Sequence, residues 1–231
     1  MINTIKQENT ITNLNKEKLE KAHNNNIKIS SLNLDNKFNS FETWEYNKSK
    51  RLLYEINNPK KRYKRYPRGS IVKVDFGVNI GSEFSEIHFA ITLSKRDKMF
   101  NSNLIVVPLT SKKHKNTIRI DKITDTNYIN ELKMKLEELR EEQDNKNLIN
   151  NYKEIREIKK IIKYYEKVMN KFSYAVIDQI KTISKLNIVK PINKYDIVNN
   201  HICPKNVMKE IDKNIIKIYT SYDYREFDKQ D

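Results

Sequence analysis

The chain has 231 residues, and 45 lysines and arginines against 30 aspartates and glutamates give it a formal net charge of +15 at pH 7. This charge favours a polyanionic partner, either nucleic acid or an anionic surface, although a genomic bias toward Lys, Asn and Ile accounts for part of the excess. The single cysteine, Cys203, excludes an intrachain disulfide and reads as a small apolar filler. No apolar run approaches the ~18–20 residues of a membrane span and no signal peptide is visible, so we expect a cytoplasmic protein without a membrane partner.

Residues 1–66 are predicted to form a helical and flexible extension. Asn, Lys and Ser dominate residues 1–40, where Asn13 to Ala22 predict a short helix. A better helix is predicted from Phe41 to Ile56 by the helical spacing of its apolar residues, which are Phe41, Trp44, Leu52, Leu53 and Ile56. Because an exposed Trp and Phe pair would be unusual, this helix is expected to dock on another part of the chain.

The ten residues from Pro59 to Arg68 read PKKRYKRYPR and contain six basic side chains with Tyr63 and Tyr66 between them. One interpretation is a strip that contacts RNA, with cations for the phosphates and rings for base stacking. The other is a solvated linker between the extension and the main domain. The candidate RNA-binding residues of this segment are Arg62, Arg65 and Arg68.

From Ser70 onward the apolar pattern changes to the period of two that is typical of β-strands. The predicted strands are Ile71–Phe76, Ile87–Leu93, Leu104–Leu109, Thr117–Ile120, Phe172–Ile183 and, more weakly, Asn187–Ile192. Short strands joined by short loops favour a small barrel with antiparallel pairs. All three glycines fall between Gly69 and Gly81, so the stretch Arg68 to Glu83 has the most demanding backbone geometry, and such loops often carry sites.

Residues 125–170 are predicted to form an inserted helical hairpin, because they lack Gly and Pro and carry two apolar repeats. The repeats are Ile129, Leu132, Leu136 and Leu139, and then Ile155, Ile158, Ile162, Tyr165 and Met169. The register breaks between them, which predicts a turn near Gln143 to Asn147; a short coiled coil used for dimerisation is the alternative. A last helix is predicted after Pro204, followed by a polar tail from Tyr222.

Three segments resemble the MazF/PemK family of toxin–antitoxin ribonucleases, in the order in which that family has them. They are RGSIVKVDFGVNIGSE at 68–83, VVPLTS at 106–111 and IDQIKTI at 177–183, and the resemblance covers about 68–121 and 172–219. It implies an α+β protein whose small SH3-like β-barrel, of the MazF/PemK/CcdB type, occupies 67–124 and 171–231. It also implies a homodimer, a cognate antitoxin protein as partner, and cleavage of single-stranded RNA without a metal or other cofactor. In that reaction the 2′-hydroxyl attacks the neighbouring phosphate and leaves a cyclic phosphate and a 5′-hydroxyl.

Two residues are predicted to be catalytic from their places in these motifs. His88 stands where the family has its central catalytic arginine, and its reference pKa of ~6.5 lets an imidazole take or give a proton near neutrality. Thr110 aligns with the family's catalytic threonine, whose hydroxyl donates to a phosphate oxygen. The alternative for His88 is a structural role at the start of a strand. The other candidate RNA-binding residues are Ser82, Glu83, Lys112, Lys113, His114, Gln179 and Lys181.

The function predicted from these residues is a metal-independent endoribonuclease toxin that cleaves mRNA within a type II toxin–antitoxin system. The alternative is a module on the same barrel that binds nucleic acid or gyrase, either without enzymatic activity, as in the related CcdB fold, or as a catalytically inactive descendant. The two hypotheses differ in whether position 88 takes part in proton transfer.

Overall fold

The computed structural model of the protein describes residues 12–32, 34, 36–120, 126–141, 148–168, 172–199 and 201–222. The helices are α1 (Asn13–Ser31), α2 (Phe41–Asn57), α3 (Thr126–Glu141), α4 (Leu148–Val168) and α5 (Lys205–Tyr219). The strands are β1 (Ile71–Asp75), β2 (Ile87–Thr92), β3 (Asn103–Thr110), β4 (Thr117–Ile120), β5 (Ser173–Val176), β6 (Lys181–Ser184) and β7 (Ile188–Lys190). None of the described helices is long and apolar enough to cross a membrane.

The described strands form one antiparallel sheet with the order β4-β5-β3-β2-β1-β7, and β6 also pairs with β3. Strand β3 is the centre of the sheet. One of its edges pairs with β2, while the other pairs with β6 along Asn103–Val106 and with β5 at Leu109 and Thr110. These strands and helices confirm the α+β class. Within the described part of the chain no ladder joins β7 to β4 or β6, so the predicted barrel is seen as an open sheet.

Both faces of the sheet are buried. Successive side chains of a strand point to opposite faces, and here apolar residues occupy both. One face carries Ile71, Ile91 and Val107 and is covered by the apolar stripes of α3, α4 and α5. The other face carries Val72, Val74 and Val106 and packs with Tyr66, Phe76 and Ile183. Cys203 is 3% exposed within the first core, as predicted for a small apolar filler.

Two predicted elements differ from the observed ones. Helix α1 continues to Ser31 instead of ending at Ala22 and contains no buried residue, and at its start the Thr12 hydroxyl accepts a hydrogen bond from the Asn15 amide. The strand predicted over Phe172–Ile183 is split into β5 and β6 by a 3-10 turn at Ile177–Gln179, because its two halves pair with different halves of β3. The turn predicted near 143–147, Met169 and the tail beyond Tyr222 lie outside the described residues.

The predicted docking of α2 is confirmed, and its contact is the loop that follows β1. Trp44 packs so closely on Gly77 that a Cβ added to this glycine would lie 2.1 Å from the indole Nε1. Arg51 Nη2 forms an ion pair of 2.8 Å with Asp75 Oδ2, and the Asp75 carboxylate is 6% exposed. Asp75 Oδ1 also accepts a hydrogen bond from the Gly77 amide at 3.1 Å. Helix α2 therefore contacts the end of β1 in two ways: Trp44 packs on Gly77, and Arg51 pairs with the buried Asp75 carboxylate.

Replacing Gly77 with alanine should lower the free energy of unfolding by more than ~2 kcal/mol. The φ angle of +82° alone costs an L-residue about 1–2 kcal/mol, and the new methyl group would also displace the Trp44 ring. Gly81→Ala is the matched control, because its φ is +60° but its added Cβ would meet nothing within 4 Å. Urea unfolding of both variants measures the difference. Equal losses of unfolding free energy in the two variants would show that the packing of Trp44 on Gly77 does not stabilise the docking of α2.

Candidate active site

The residues of the ribonuclease-like motifs converge at one end of the sheet, where β1 and β3 end and β2 and β6 begin. The glycine loop, residues 77–86, joins β1 to β2 there. Two backbone hydrogen bonds close it, from the Phe76 amide to the Glu86 carbonyl at 2.9 Å and from the Glu86 amide to the Gly77 carbonyl at 2.7 Å. Asn79 fills the loop by donating its side-chain amide to the carbonyls of Phe76 and Phe84. Hydrogen bonds within the loop therefore fix its conformation.

His88 and Thr110 lie on the same face of the sheet and on neighbouring strands. The β2–β3 pairing reaches Ala90 and Pro108, and His88 and Thr110 are each two residues beyond this pair at the same end of the ladder. The His88 ring also hydrogen-bonds the carbonyl of Leu109, the residue before Thr110. The Thr110 hydroxyl accepts a hydrogen bond from the Lys112 amide at 3.2 Å, which leaves its own O–H as a donor. Both predicted catalytic residues therefore lie at the end of the β2–β3 ladder, and the His88 ring contacts the residue before Thr110.

The surroundings of His88 favour its neutral form. Burial lowers the pKa of the imidazole below its usual value, Lys73 adds to this effect, and the Glu86 carboxylate and the Leu109 carbonyl oppose it. The Phe84 ring packs edge-on against the imidazole, with ring centres 4.8 Å apart. Glu86 Oε2 is 3.9 Å from His88 Nε2, and Glu86 has a φ of +69°, a strained backbone angle of the kind that clusters at functional sites. A neutral, partly exposed imidazole at neutral pH is suited to accept a proton.

The segment 177–181 braces the glycine loop. Lys181 Nζ forms an ion pair of 2.8 Å with Glu83 Oε2, and Gln179 Oε1 accepts a hydrogen bond from the Phe84 amide at 3.3 Å. Glu83 and Gln179 therefore have structural partners within the site, whereas Ser82 is exposed at the tip of the loop. The Lys181–Glu83 pair lowers the pKa of Glu83, so this carboxylate stays ionised. Lys181 is the one cation among these four predicted RNA-binding residues, and its ammonium group contacts the loop through Glu83.

The turn after β3 supplies further cations to the same end of the sheet. Lys112, Lys113 and His114 are all exposed in this turn. Its far end is tied to the 177–179 turn, since Asn116 accepts the Ile177 amide with its carbonyl at 3.2 Å and donates its side-chain amide to Asp178 at 3.1 Å. The Lys112 amide donates to the Thr110 hydroxyl and His114 is bonded to Thr117, so the turn holds the exposed Lys112 and Lys113 side chains close to Thr110.

The three predicted RNA-binding arginines do not join this site. Arg68 precedes β1 and hydrogen-bonds the Leu93 carbonyl beyond the end of β2, so it lies at the end of the sheet opposite His88. Its guanidinium also pairs with Asp212 of α5, which gives it a structural role between sheet and helix. Arg62 and Arg65 are exposed in the same region, and the Arg62 guanidinium lies 5.8 Å from the centre of the Phe100 ring. The Pro59–Arg68 segment is therefore remote from His88.

Sequence reasoning missed several residues that shape the site. Lys37 Nζ donates to the carbonyls of Asn79 and Gly81 at 2.6 and 2.7 Å and so ties the N-terminal extension to the glycine loop. Asn79 and Asp178 were not singled out either. Asn79 had a signal, since an asparagine inside a glycine-rich loop is typical of side-chain bonds to the local backbone. Nothing in the sequence signals Lys37, whose partners are more than 40 residues away.

Comparison of the chain with models of known protein families finds no match, and comparison with curated proteins finds none either. Within the described residues, no three His, Cys, Asp or Glu side chains are grouped so that they could hold a metal ion. The site is thus defined by its own geometry, namely an imidazole, a hydroxyl and a set of lysines around a braced loop.

Proposed function

We propose that this protein is a metal-independent endoribonuclease of the MazF/PemK type, with His88 as its proton-transfer residue. The observation that carries the proposal is a half-buried imidazole at the end of the β2–β3 ladder whose ring hydrogen-bonds the Leu109 carbonyl, next to Thr110. Proton transfer by a positioned side chain and hydrogen-bond donors for a charged phosphorane are the two requirements of cleavage by the 2′-hydroxyl. Both types of group lie at this end of the sheet.

The proposed reaction assigns a step to each group. Neutral His88 takes the proton of the ribose 2′-hydroxyl as the 2′-oxygen attacks the adjacent phosphorus. The bond from phosphorus to the 5′-oxygen breaks, and the imidazolium returns the proton to that oxygen, which leaves as a 5′-hydroxyl. The Thr110 hydroxyl donates to a non-bridging oxygen, and the ammonium groups of Lys112 and Lys113 neutralise the phosphate charge. The products are a 2′,3′-cyclic phosphate and a 5′-hydroxyl end, so atoms and charges balance without a cofactor.

The same proposal covers the biological setting. The open sheet would be a variant of the small SH3-like barrel, the chain would act on mRNA in the cytoplasm as a homodimeric toxin, and a cognate antitoxin would cover the site. The net charge of +15 supports a polyanionic substrate, because lysines near a groove concentrate and orient phosphates.

Incubating the purified protein with single-stranded RNA in EDTA tests the proposal. The expected result is cleavage with 2′,3′-cyclic phosphate ends, which we expect to see by end-group analysis, and no cleavage of DNA of the same sequence, because deoxyribose lacks the attacking hydroxyl. Cleavage that disappears in EDTA would contradict the metal-independent mechanism. Absence of cleavage with retained binding of RNA or gyrase would instead support the non-enzymatic binding module.

A further inference from the structure

A groove of about 380 Å³ lies between α2 and β6, directly beside the candidate active site. Its lining includes Trp44 and Leu52 of α2 and Lys181 and Thr182 of β6. Lys181 is the residue that pairs with Glu83 of the glycine loop, so the groove and the site share a wall. The volume falls in the range of ~300–1,000 Å³ that is typical of small-molecule sites. One wall of the groove belongs to the 177–183 motif, and the other belongs to the N-terminal extension, which lies outside the ribonuclease resemblance.

The β6 wall offers backbone hydrogen-bonding groups. The Ile105 carbonyl of β3 accepts the Leu93 amide, so Ile105 turns its backbone groups toward β2. Its partner across the ladder is Thr182, and in an antiparallel pair the residue opposite a non-bonded position also turns its N–H and C=O outward. Thr182 therefore presents a donor and an acceptor away from β3. A donor and an acceptor side by side are what the edge of a nucleobase requires.

The α2 wall offers an aromatic ring with cations around it. Trp44 is half-buried, and Lys48 Nζ lies 4.7 Å from the centre of its ring. Lys48 Nζ also lies 3.4 Å from a Glu45 carboxylate oxygen, and its side chain is 49% exposed, so it can turn toward a ligand. Aromatic rings beside lysines are the combination by which proteins bind single-stranded nucleic acid, with the ring for a base and the cation for its phosphate.

We propose that the groove between α2 and β6 is a nucleotide-binding subsite that holds one base of the RNA next to the bond to be cleaved. The base contacts Trp44 and hydrogen-bonds the outward backbone groups of Thr182, while Lys48 and Lys181 bind its phosphate. This inference deepens the proposed function, on which its role in cleavage rests. It assigns to the N-terminal extension a part in selecting the RNA sequence.

Trp44 is the single tryptophan of the chain, so its fluorescence reports on this groove directly. Titration of the full-length protein with AMP, GMP, CMP and UMP should quench that fluorescence in a saturable way, with at least one base bound more tightly than the others. Ribose 5-phosphate and inorganic phosphate lack a base and should not quench it. Quenching by these two ligands to the same extent would identify a plain anion site and overturn the proposal.

Two neighbouring leucines of α2 provide a matched pair of variants. Leu52 lines the groove whereas Leu53 does not, and both are exposed, at 52% and 61%, so a carboxylate at either position is compatible with folding. Leu52→Glu places a negative charge against the nucleotide phosphate and should raise the dissociation constant about tenfold or more, whereas Leu53→Glu should leave it unchanged. Equal affinities in the two variants would overturn the proposal.

The binding assay separates this inference from the proposed function. Quenching that persists when no RNA is cleaved supports a nucleotide site and contradicts only the ribonuclease. Cleavage of RNA without quenching by any mononucleotide would overturn the proposed nucleotide subsite and would still support the proposed ribonuclease activity. If both hold, Leu52→Glu should also change the ratio of cleavage rates between RNA sequences, while Leu53→Glu should not.

Discussion

Replacement of His88 by alanine should reduce the rate of RNA cleavage by about 10²–10⁴-fold, the usual worth of a positioned general acid or base. The side chain is half-buried and hydrogen-bonds the Leu109 carbonyl and the Glu86 carboxylate, whereas β2 is held to β1 by backbone pairing, so we expect its removal to leave that pairing intact. Initial rates on a single-stranded RNA, together with a circular dichroism spectrum of the variant, measure the effect. An unchanged rate would end the proposed mechanism.

The dependence of the rate on pH gives the same prediction a second readout. Burial lowers the pKa of His88, so the neutral base is kept down to a pH below the ordinary value of ~6.5, and the rate should fall only when the pH drops beneath that value. His23 is exposed in α1 and serves as the control, since His23→Ala should change the rate and its pH profile little. In His88→Arg the guanidinium does not titrate, so the acid limb due to His88 should disappear.

Replacement of Asp97 by alanine should destabilise the fold by about 3–5 kcal/mol, because it leaves a buried ammonium without its counter-ion. Lys185 Nζ lies 2.7 and 2.8 Å from the two carboxylate oxygens of Asp97, and both side chains are 2% exposed. The same ammonium donates to the carbonyls of Lys64 and Lys98, and Asp97 accepts the Tyr66 amide. Chemical denaturation of the variant measures the loss.

An exposed ion pair supplies the comparison. Lys133 and Glu166 are 2.7 Å apart between α3 and α4, but their side chains are 49% and 46% exposed. Glu166→Ala should therefore cost less than ~1 kcal/mol. Replacing both buried partners with apolar residues, as in Asp97→Leu with Lys185→Met, should recover part of the loss, because no uncompensated charge remains. A double variant as unstable as Asp97→Ala would show that the hydrogen bonds of the pair, and not its charges, carry the stability.

This buried pair anchors the backbone of the basic segment before β1. The Pro59–Arg68 strip reads equally well as an RNA contact or as a linker, since its composition satisfies both interpretations. In the structure its backbone is held against the 95–102 loop by the bonds of Lys64 and Tyr66 to the Lys185–Asp97 pair. Its exposed cations then lie at the end of the sheet opposite His88. Lys185 is more than 100 residues from Lys64 in the chain, so no local pattern in the sequence indicates this anchoring.

The sequence by itself determined the elements and most of the candidate site. Periods of two and of three to four identified β1 to β4, α2 and α5, because an apolar face must recur at the spacing of the element that buries it. The glycine cluster pointed to the loop with positive φ angles, and the motif order pointed to His88 and Thr110. The periodic patterns and the glycine cluster are local signals, whereas the order of the motifs extends from residue 68 to residue 183.

The tertiary structure alone decided what joins these elements. The strand predicted across Phe172–Ile183 breaks because β3 offers two different partners along one edge, and no local pattern encodes the partner of a strand. Trp44 was expected to dock, but only the fold shows that it docks on Gly77. In this position Trp44 lines a groove beside the candidate site. The same holds for Lys37, Asp97 and Lys185. Ion pairs and close contacts between distant residues depend on the path of the chain, which periodicity and composition do not specify.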